Sequence, residues 1–282
     1  MKQVQWFPGH MFKSLREIRE KIKLMDIVYI LLDARLPYSS MNPNILEIVG
    51  TKPTLLLFNK SDLADPNNLK YWMHYYQKDK FHTLAIDAQK GKNINKIHQI
   101  SQRILADQIL KNKNRGLKEQ PIRAMILGIP NVGKSTLINA LTKSKSTKTG
   151  NKPGVTKAQQ WIKISDLFEL LDTPGVLWPK FEEEKVGLAL AITGAIKDET
   201  LPTDKVVKYA LEYLNRYYPK ALERRYEVSK DLTYEELLSQ IGKKRGAISK
   251  GGEIDYERVY QIILSDIRNN NLGGLSFDQK PS

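Results

Sequence analysis

Residues Gly128-Ile-Pro-Asn-Val-Gly133-Lys134-Ser135 keep the spacing G-x-x-x-x-G-K-[ST]. They follow the apolar run "IRAMILG", which starts at Ile122, and precede Leu137, Ile138, Ala140 and Leu141 at helical spacing. Strand, glycine-rich loop and helix in that order are what this pattern needs to hold a phosphate chain. Glycines let backbone N–H groups come close, and the helix N-terminus adds its dipole. The loop therefore predicts phosphate contacts from Asn131, Val132, Gly133, Lys134, Ser135 and Thr136. Lys134 reaches the β and γ oxygens, and Ser135 ligates Mg²⁺.

The loop leaves the base open, because ATPases, kinases and GTPases share it. Asn59-Lys60-Ser61-Asp62 follows a second apolar run, Thr54 to Phe58. Guanine carries an exocyclic amine at position 2, where adenine has none, so a carboxylate at Asp62 can accept from N1–H and N2–H together. Asn59 can donate to the opposite edge of the base, and the Lys60 stem can lie over the ring. Adenine would leave the carboxylate unpaired. The tetrapeptide alone is a common turn; its position at the end of a strand gives it weight.

Other runs complete an α/β pattern. "DIVYILLD" at 26–33 and "TLLLF" at 54–58 read as buried parallel strands, and Leu84 to Ile86 supplies a third. Ile94, Ile97, Ile100, Ile104 and Leu105 predict one helix to about Leu110, and residues 111–121 a polar surface connection. Residues 143–160 are Lys/Thr-rich and suit a mobile loop, followed by strands at Trp161–Ile164 and Leu167–Leu171. Beyond Trp178 the apolar residues fall into helical stripes, giving an all-helical C-terminal unit at 179–282 after a nucleotide domain at 1–178. Packing of those helices onto the first unit as its last layer is the alternative.

Asp172-Thr173-Pro174-Gly175 closes the last strand. Asp172 can hold Mg²⁺ through water, and the Gly175 N–H can meet the γ-phosphate. Thr156, in "KPGVT", is the natural second Mg²⁺ ligand, with other threonines of that loop competing; it would order the loop only in the triphosphate state.

These blocks resemble those of the translation-factor-related GTPases, with one change. The usual order is P-loop, switch threonine, D-x-x-G, N-K-x-D and a base-contact loop. Here Asn59–Asp62 and Asp87-Ala88 come first, so the chain looks circularly permuted, with 111–121 joining the former termini. Asp87 stands where the base-contact loop usually carries Ser or Thr. "WFPGHM", "GIPNVGKST", "NKPGVT", "DTPGVLWP" and "LAITGAIKDE" together resemble the ribosome biogenesis GTPase A (YlqF/RbgA) family of bacterial large-subunit assembly factors. The resemblance runs to about Thr200. It implies GTP/GDP and Mg²⁺ as ligands, the large ribosomal subunit and its rRNA as partner, and a helical RNA-contacting C-terminal part. Asn131 resembles the residue that holds K⁺ near the phosphates in potassium-activated relatives.

Composition agrees with such a partner. The net charge is +14, and residues 1–178 carry all of it, with 28 Lys/Arg against 14 Asp/Glu. Residues 111–157 hold 11 basic residues and one acid, Glu119. Lys and Arg that neutralise phosphates release counterions, so this surface favours a polyanion; a solvated basic face that keeps the protein soluble is the bland alternative. The absence of cysteine excludes disulfides and thiolate zinc sites. The N-terminal apolar run Ile27–Leu32 is too short to span a bilayer, which predicts an unprocessed chain with no membrane contact; a cytoplasmic monomer is the expectation.

The residues after Gly175 are Val176, Leu177 and Trp178, none able to align a water. Slow intrinsic hydrolysis follows, with the orienting group supplied from elsewhere. His10, in the Phe7–Met11 segment, is the candidate catalytic residue, and capping of the next helix is its structural alternative. Gly242-Lys-Lys-Arg-Gly246 and Lys250-Gly-Gly252 read as a flexible basic loop, making Lys243, Lys244, Arg245 and Lys250 candidate RNA contacts. Two readings compete with a ribosomal switch: a GTPase acting on another RNA such as tRNA, and a passive RNA-binding module.

Overall fold

A computed structural model describes residues 9–143, 159–178, 181, 183–198, 202–229 and 232–280. Among the described residues, six strands form one sheet in the order β3-β2-β1-β4-β6-β5. They are β1 (Ile27–Asp33), β2 (Thr54–Asn59), β3 (His82–Ala85), β4 (Ile122–Gly128), β5 (Gln160–Ser165) and β6 (Phe168–Asp172). Every neighbouring pair is parallel except the edge pair β5/β6. All residues of β1 and β2 are buried, which is why both read as continuous apolar runs without alternation.

The parallel register fixes the site. Asp33 pairs with Asn59, Leu31 with Gly128 and Ile126 with Asp172, so the ends of β1, β2, β4 and β6 meet along one edge. Ligands of open parallel sheets bind at the carboxyl ends of the strands. The N-K-x-D strand precedes the P-loop strand in the chain yet lies two strands from it in the sheet, so the permuted order rebuilds one continuous layer.

Helices α1 (Gly9–Lys21), α2 (Pro43–Val49), α3 (Pro66–Lys78), α4 (Lys96–Ile104), α5 (Ala106–Asn114) and α6 (Lys134–Lys143) accompany this sheet. Asn42 and Asp65 cap α2 and α3 by accepting backbone N–H groups, each just ahead of a proline at the first helical position. The single helix expected over 94–110 is divided: α4 ends at Ile104, Leu105 leaves helical geometry, and α5 runs on to Asn114. The first residues of the expected 111–121 connection are therefore helical.

Helices α7 (Glu184–Ile192), α8 (Thr203–Tyr217), α9 (Pro219–Tyr226), α10 (Tyr234–Arg245) and α11 (Tyr256–Arg268) follow. Val207, Leu211 and Leu214 of α8 pack into a common core with Leu238, Ile241, Val259 and Ile263. Residues Val186–Ile192 are buried on every side, so α7 shows no polar face and no stripe. The basic segment at 242–246 is not a flexible loop. It is the last turn of α10, begun by a Thr233/Glu236 capping box and ended by Gly246 in the left-handed region. Among the described residues, no helix is long and apolar enough to cross a membrane.

Candidate functional site

Lys134 opens α6 and is 9% exposed. Its Nζ donates to the carbonyls of Gly128 and Ile129, both at 3.0 Å, so the ammonium spans the loop from within. Burial pushes this group down to about 8, against the opposing pull of the Asp172 carboxylate. A polyphosphate replaces the lost hydration and raises the value again. Affinity is then fully present below pH ~8 and falls with rising pH until the bound form also titrates. GTP affinity is expected to fall about tenfold between pH ~7 and pH ~9. Titration by calorimetry against Lys134→Arg, whose guanidinium keeps its proton throughout this range, checks it. Equal pH slopes in both chains would remove Lys134 as the cause.

Asn59 ties three motifs together. Its Nδ2 donates to Val132 O at 2.9 Å, and its Oδ1 accepts from the Ala88 N–H at 3.0 Å. The amide thus braces the base loop and the P-loop against each other. Gly133 lies under it at φ +103°, where an added Cβ would sit 2.3 Å from Asn59 Nδ2. Asp87 Oδ1 accepts from the Gln89 and Lys90 N–H groups at 3.0 and 2.9 Å. The carboxylate does what a Ser or Thr would do there, turning the chain so that Ala88 faces Asn59.

Lys60 adopts φ +59° and sends its ammonium to Asp33 Oδ2 and Asn131 O, each at 3.0 Å. Asp33 is gripped from its other side by Arg35, whose Nε and Nη2 donate at 3.0 and 2.8 Å. Burial would raise the Asp33 carboxyl, and the Arg35 and Lys60 charges override it and hold it far below the usual carboxylate range. No sequence motif marked Asp33 or Arg35. The signal was a carboxylate closing an apolar strand, which the sheet then sets in register with Asn59. Asp62, the expected base reader, pairs with Lys90 at 2.7 Å, so a ligand at this carboxylate competes with the lysine.

The D-T-P-G turn closes the phosphate side. Thr173 Oγ1 donates to Ile126 O at 2.7 Å, and the Val176 N–H to Gly128 O at 3.2 Å. A Cβ on Gly175 would meet Pro130 backbone atoms at 2.7 and 2.8 Å, so the turn lies directly on the P-loop. Ser135 is half-buried, Asp172 is 2% exposed, and Thr136 is exposed at the first turn of α6. A hydroxyl and a carboxylate are the hard oxygen donors that Mg²⁺ takes, and Mg²⁺ completes its shell with waters and phosphate oxygens rather than a protein cage. Among the described residues no group of three or more His, Asp or Glu could hold a metal ion.

Asn131, at φ +55°, donates its side-chain amide to Gly194 O at 3.0 Å, a contact with the segment after α7. Thr156 lies outside the described residues, as does the 144–158 stretch of the Lys/Thr-rich loop. His10 falls in the first turn of α1, with its side chain outside the description. Lys243 and Lys250 are exposed. Lys244 pairs with Glu227, while Arg245 lies over the Tyr226 ring at 5.4 Å and donates to Arg225 O at 2.7 Å. Arg245 is thus engaged inside the helical layer.

A family model described as "50S ribosome-binding GTPase" matches residues 123–220. Proteins named ribosome biogenesis GTPase A from Bacillus licheniformis and Priestia megaterium are each 50% identical over 279 residues. They cover 98% of this chain and, respectively, 98% and 96% of their own lengths. The GNP-bound structure of YlqF from T. maritima superposes with a TM-score of 0.67 at 24% identity, covering 95% of this chain and 98% of its own. The GDP-bound structure of TM YlqF gives the same TM-score at 23% identity, covering 94% and 99%. These two likenesses speak to the fold.

Proposed function

This chain belongs to the ribosome biogenesis GTPase A family, and on that premise we propose that it is an assembly factor of the large ribosomal subunit. It binds rRNA in its GTP state and leaves on hydrolysis. The observation that carries the reading is Asn59, whose one amide joins the guanine loop, the Ala88 loop and the P-loop into a single nucleotide site. Full-length likeness to named assembly GTPases supports the ribosomal part.

Ser135 and Asp172, with Thr156 from outside the described residues, would hold Mg²⁺, which would supply charge neutralisation for the phosphate oxygens. Lys134 reads the same oxygens. Val176, Leu177 and Trp178 are 1%, 5% and 7% exposed, so the segment after Gly175 is spent on packing and offers no group to a water. His10 of α1 is the group assigned that role, and Asn131 would hold a K⁺ ion, which would supply the positive charge that an arginine finger brings elsewhere. The chain works as a cytoplasmic monomer divided near residue 178, with Lys243, Lys244 and Lys250 on the RNA-facing side.

GTP turnover in potassium buffer, with and without purified large subunits, tests this. Stimulation by the subunit is expected, and His10→Ala should lose at least about a hundredfold of it. Stimulation kept by the variant moves water alignment to another group. No stimulation of the unchanged chain sinks the large-subunit reading.

A further inference from the structure

After α11 the chain returns to the nucleotide site. Leu275 N–H donates to Leu63 O at 3.0 Å and Asp65 N–H to Leu275 O at 3.1 Å, so one residue of the C-terminal segment brackets the loop immediately after Asp62. Gly274 passes so close that a Cβ there would lie 2.6 Å from Ala64 O. The Phe277 N–H donates to Arg35 O at 2.9 Å. Asp278 Oδ2 accepts from the Tyr38 and Ser39 N–H groups, both at 2.8 Å, and its Oδ1 from Ser39 Oγ at 2.5 Å. Trp72 Nε1 and Asn68 Nδ2 donate to Asp278 O at 3.0 and 2.9 Å. Leu275, Ser276, Phe277 and Asp278 are all buried.

The same segment is tied to the C-terminal helices. The Phe277 ring packs on Tyr213 of α8 at 5.1 Å, and the Ser276 N–H donates to Tyr218 OH at 3.0 Å. Tyr218 OH in turn donates to Asp65 Oδ2 at 3.2 Å. The segment thus has its backbone on the guanine side and an aromatic anchor among the helices.

We propose that Leu275–Asp278 is a strap that positions the guanine-reading loop, with Asp278 and Ser39 as positioning residues for nucleotide retention. Two routes lead from it to the base. One runs through the Leu275 backbone to Leu63 and Asp65, beside Asp62. The other runs through the Tyr38–Ser39 turn to Arg35, which fixes Asp33, which holds the Lys60 ammonium. The first route ends on the base loop, and the second reaches the P-loop only through the Lys60 bond to the Asn131 carbonyl, away from Lys134 and Ser135. The strap therefore acts on retention of the guanine base and leaves the chemical step alone, and a partner that shifts the C-terminal helices changes nucleotide affinity through it. The inference rests on guanine-nucleotide binding and is independent of the identity of the macromolecular partner.

The test is the release rate of fluorescently labelled GDP from the full chain, read beside kcat at saturating GTP and the melting temperature. Asp278→Ala and Ser39→Ala are expected to release GDP about five- to tenfold faster, at the lower end of ordinary coupling between sites. kcat should stay unchanged, and Ser39→Thr, which keeps the hydroxyl, should restore slow release. Trp72→Phe, which removes one donor to the Asp278 carbonyl, covers the case in which Asp278→Ala does not fold, and it should move release in the same direction. Release unchanged in folded Ser39→Ala and Trp72→Phe chains overturns the proposal, even where the melting temperature falls. Labelled GDP that fails to bind the unchanged chain overturns guanine binding itself.

Discussion

Asp62→Asn is expected to lower GTP affinity by about two to three orders of magnitude and to create measurable affinity for xanthosine triphosphate. Guanine offers two donors, N1–H and the C2 amine, and under the proposed reading the Asp62 carboxylate accepts both. An amide accepts one and opposes the other with its own N–H. Losing a charge-assisted hydrogen bond and leaving a donor unpaired costs about 3–4 kcal/mol, which is the stated range. Xanthine carries a carbonyl at C2, so the new amide meets it donor to acceptor. Lys90, deprived of its carboxylate 2.7 Å away, no longer competes for the site, which limits the loss without reversing it. Competition binding with both triphosphates decides the matter. Undiminished GTP affinity without any gain for xanthosine triphosphate removes Asp62 as the base reader.

Gly133→Ala is expected to abolish useful nucleotide binding and to destabilise the fold as well. Two costs combine. The φ of +103° disfavours any residue with a Cβ, and that Cβ would sit 2.3 Å from Asn59 Nδ2. Asn59 has to swing away, breaking its bonds to Val132 O and the Ala88 N–H together. Strain and broken buried hydrogen bonds amount to about 2–4 kcal/mol, or a fall of roughly 5–10 °C in melting temperature. Nucleotide affinity should drop by at least about a hundredfold, because both the phosphate and base halves lose their common brace. Calorimetric melting and equilibrium binding of labelled GDP read the two effects separately. A chain that melts normally and binds normally would show that the P-loop and Asn59 move apart freely.

The elements that were legible share a physical cause. β1 and β2 are buried throughout and β4 everywhere but at Arg123, so each appears as an apolar run ending at the sheet edge in Asp33, Asn59 or Gly128. Stripes at Val206–Leu214 and Val259–Ile267 marked α8 and α11, because each of those helices keeps one wet side. α7 escaped because it is buried all round and carries no such contrast. The break at Leu105 escaped because a stripe of isoleucines on either side conceals a local change of backbone angle. Arg245 was read as an RNA contact from its basic neighbours, yet its guanidinium is taken up by Tyr226 and a backbone carbonyl, and only folding brings those within reach.

The sequence by itself determined the order of the blocks and where they lie: a P-loop at Gly128–Ser135, N-K-x-D at Asn59–Asp62, and the second ahead of the first in permuted order. Phosphate and base recognition rest on short spacings around glycine and on local strand ends, and those are written in consecutive residues. The tertiary structure alone decided how the pieces hold one another: Asn59 under Val132, Arg35 on Asp33, Asn131 on Gly194, and Asp278 on Ser39. Most of these contacts join residues far apart in the chain, 239 positions apart for Asp278 and Ser39. No periodicity encodes such a pair, because the hydrogen bond exists only after both surfaces have been buried against each other.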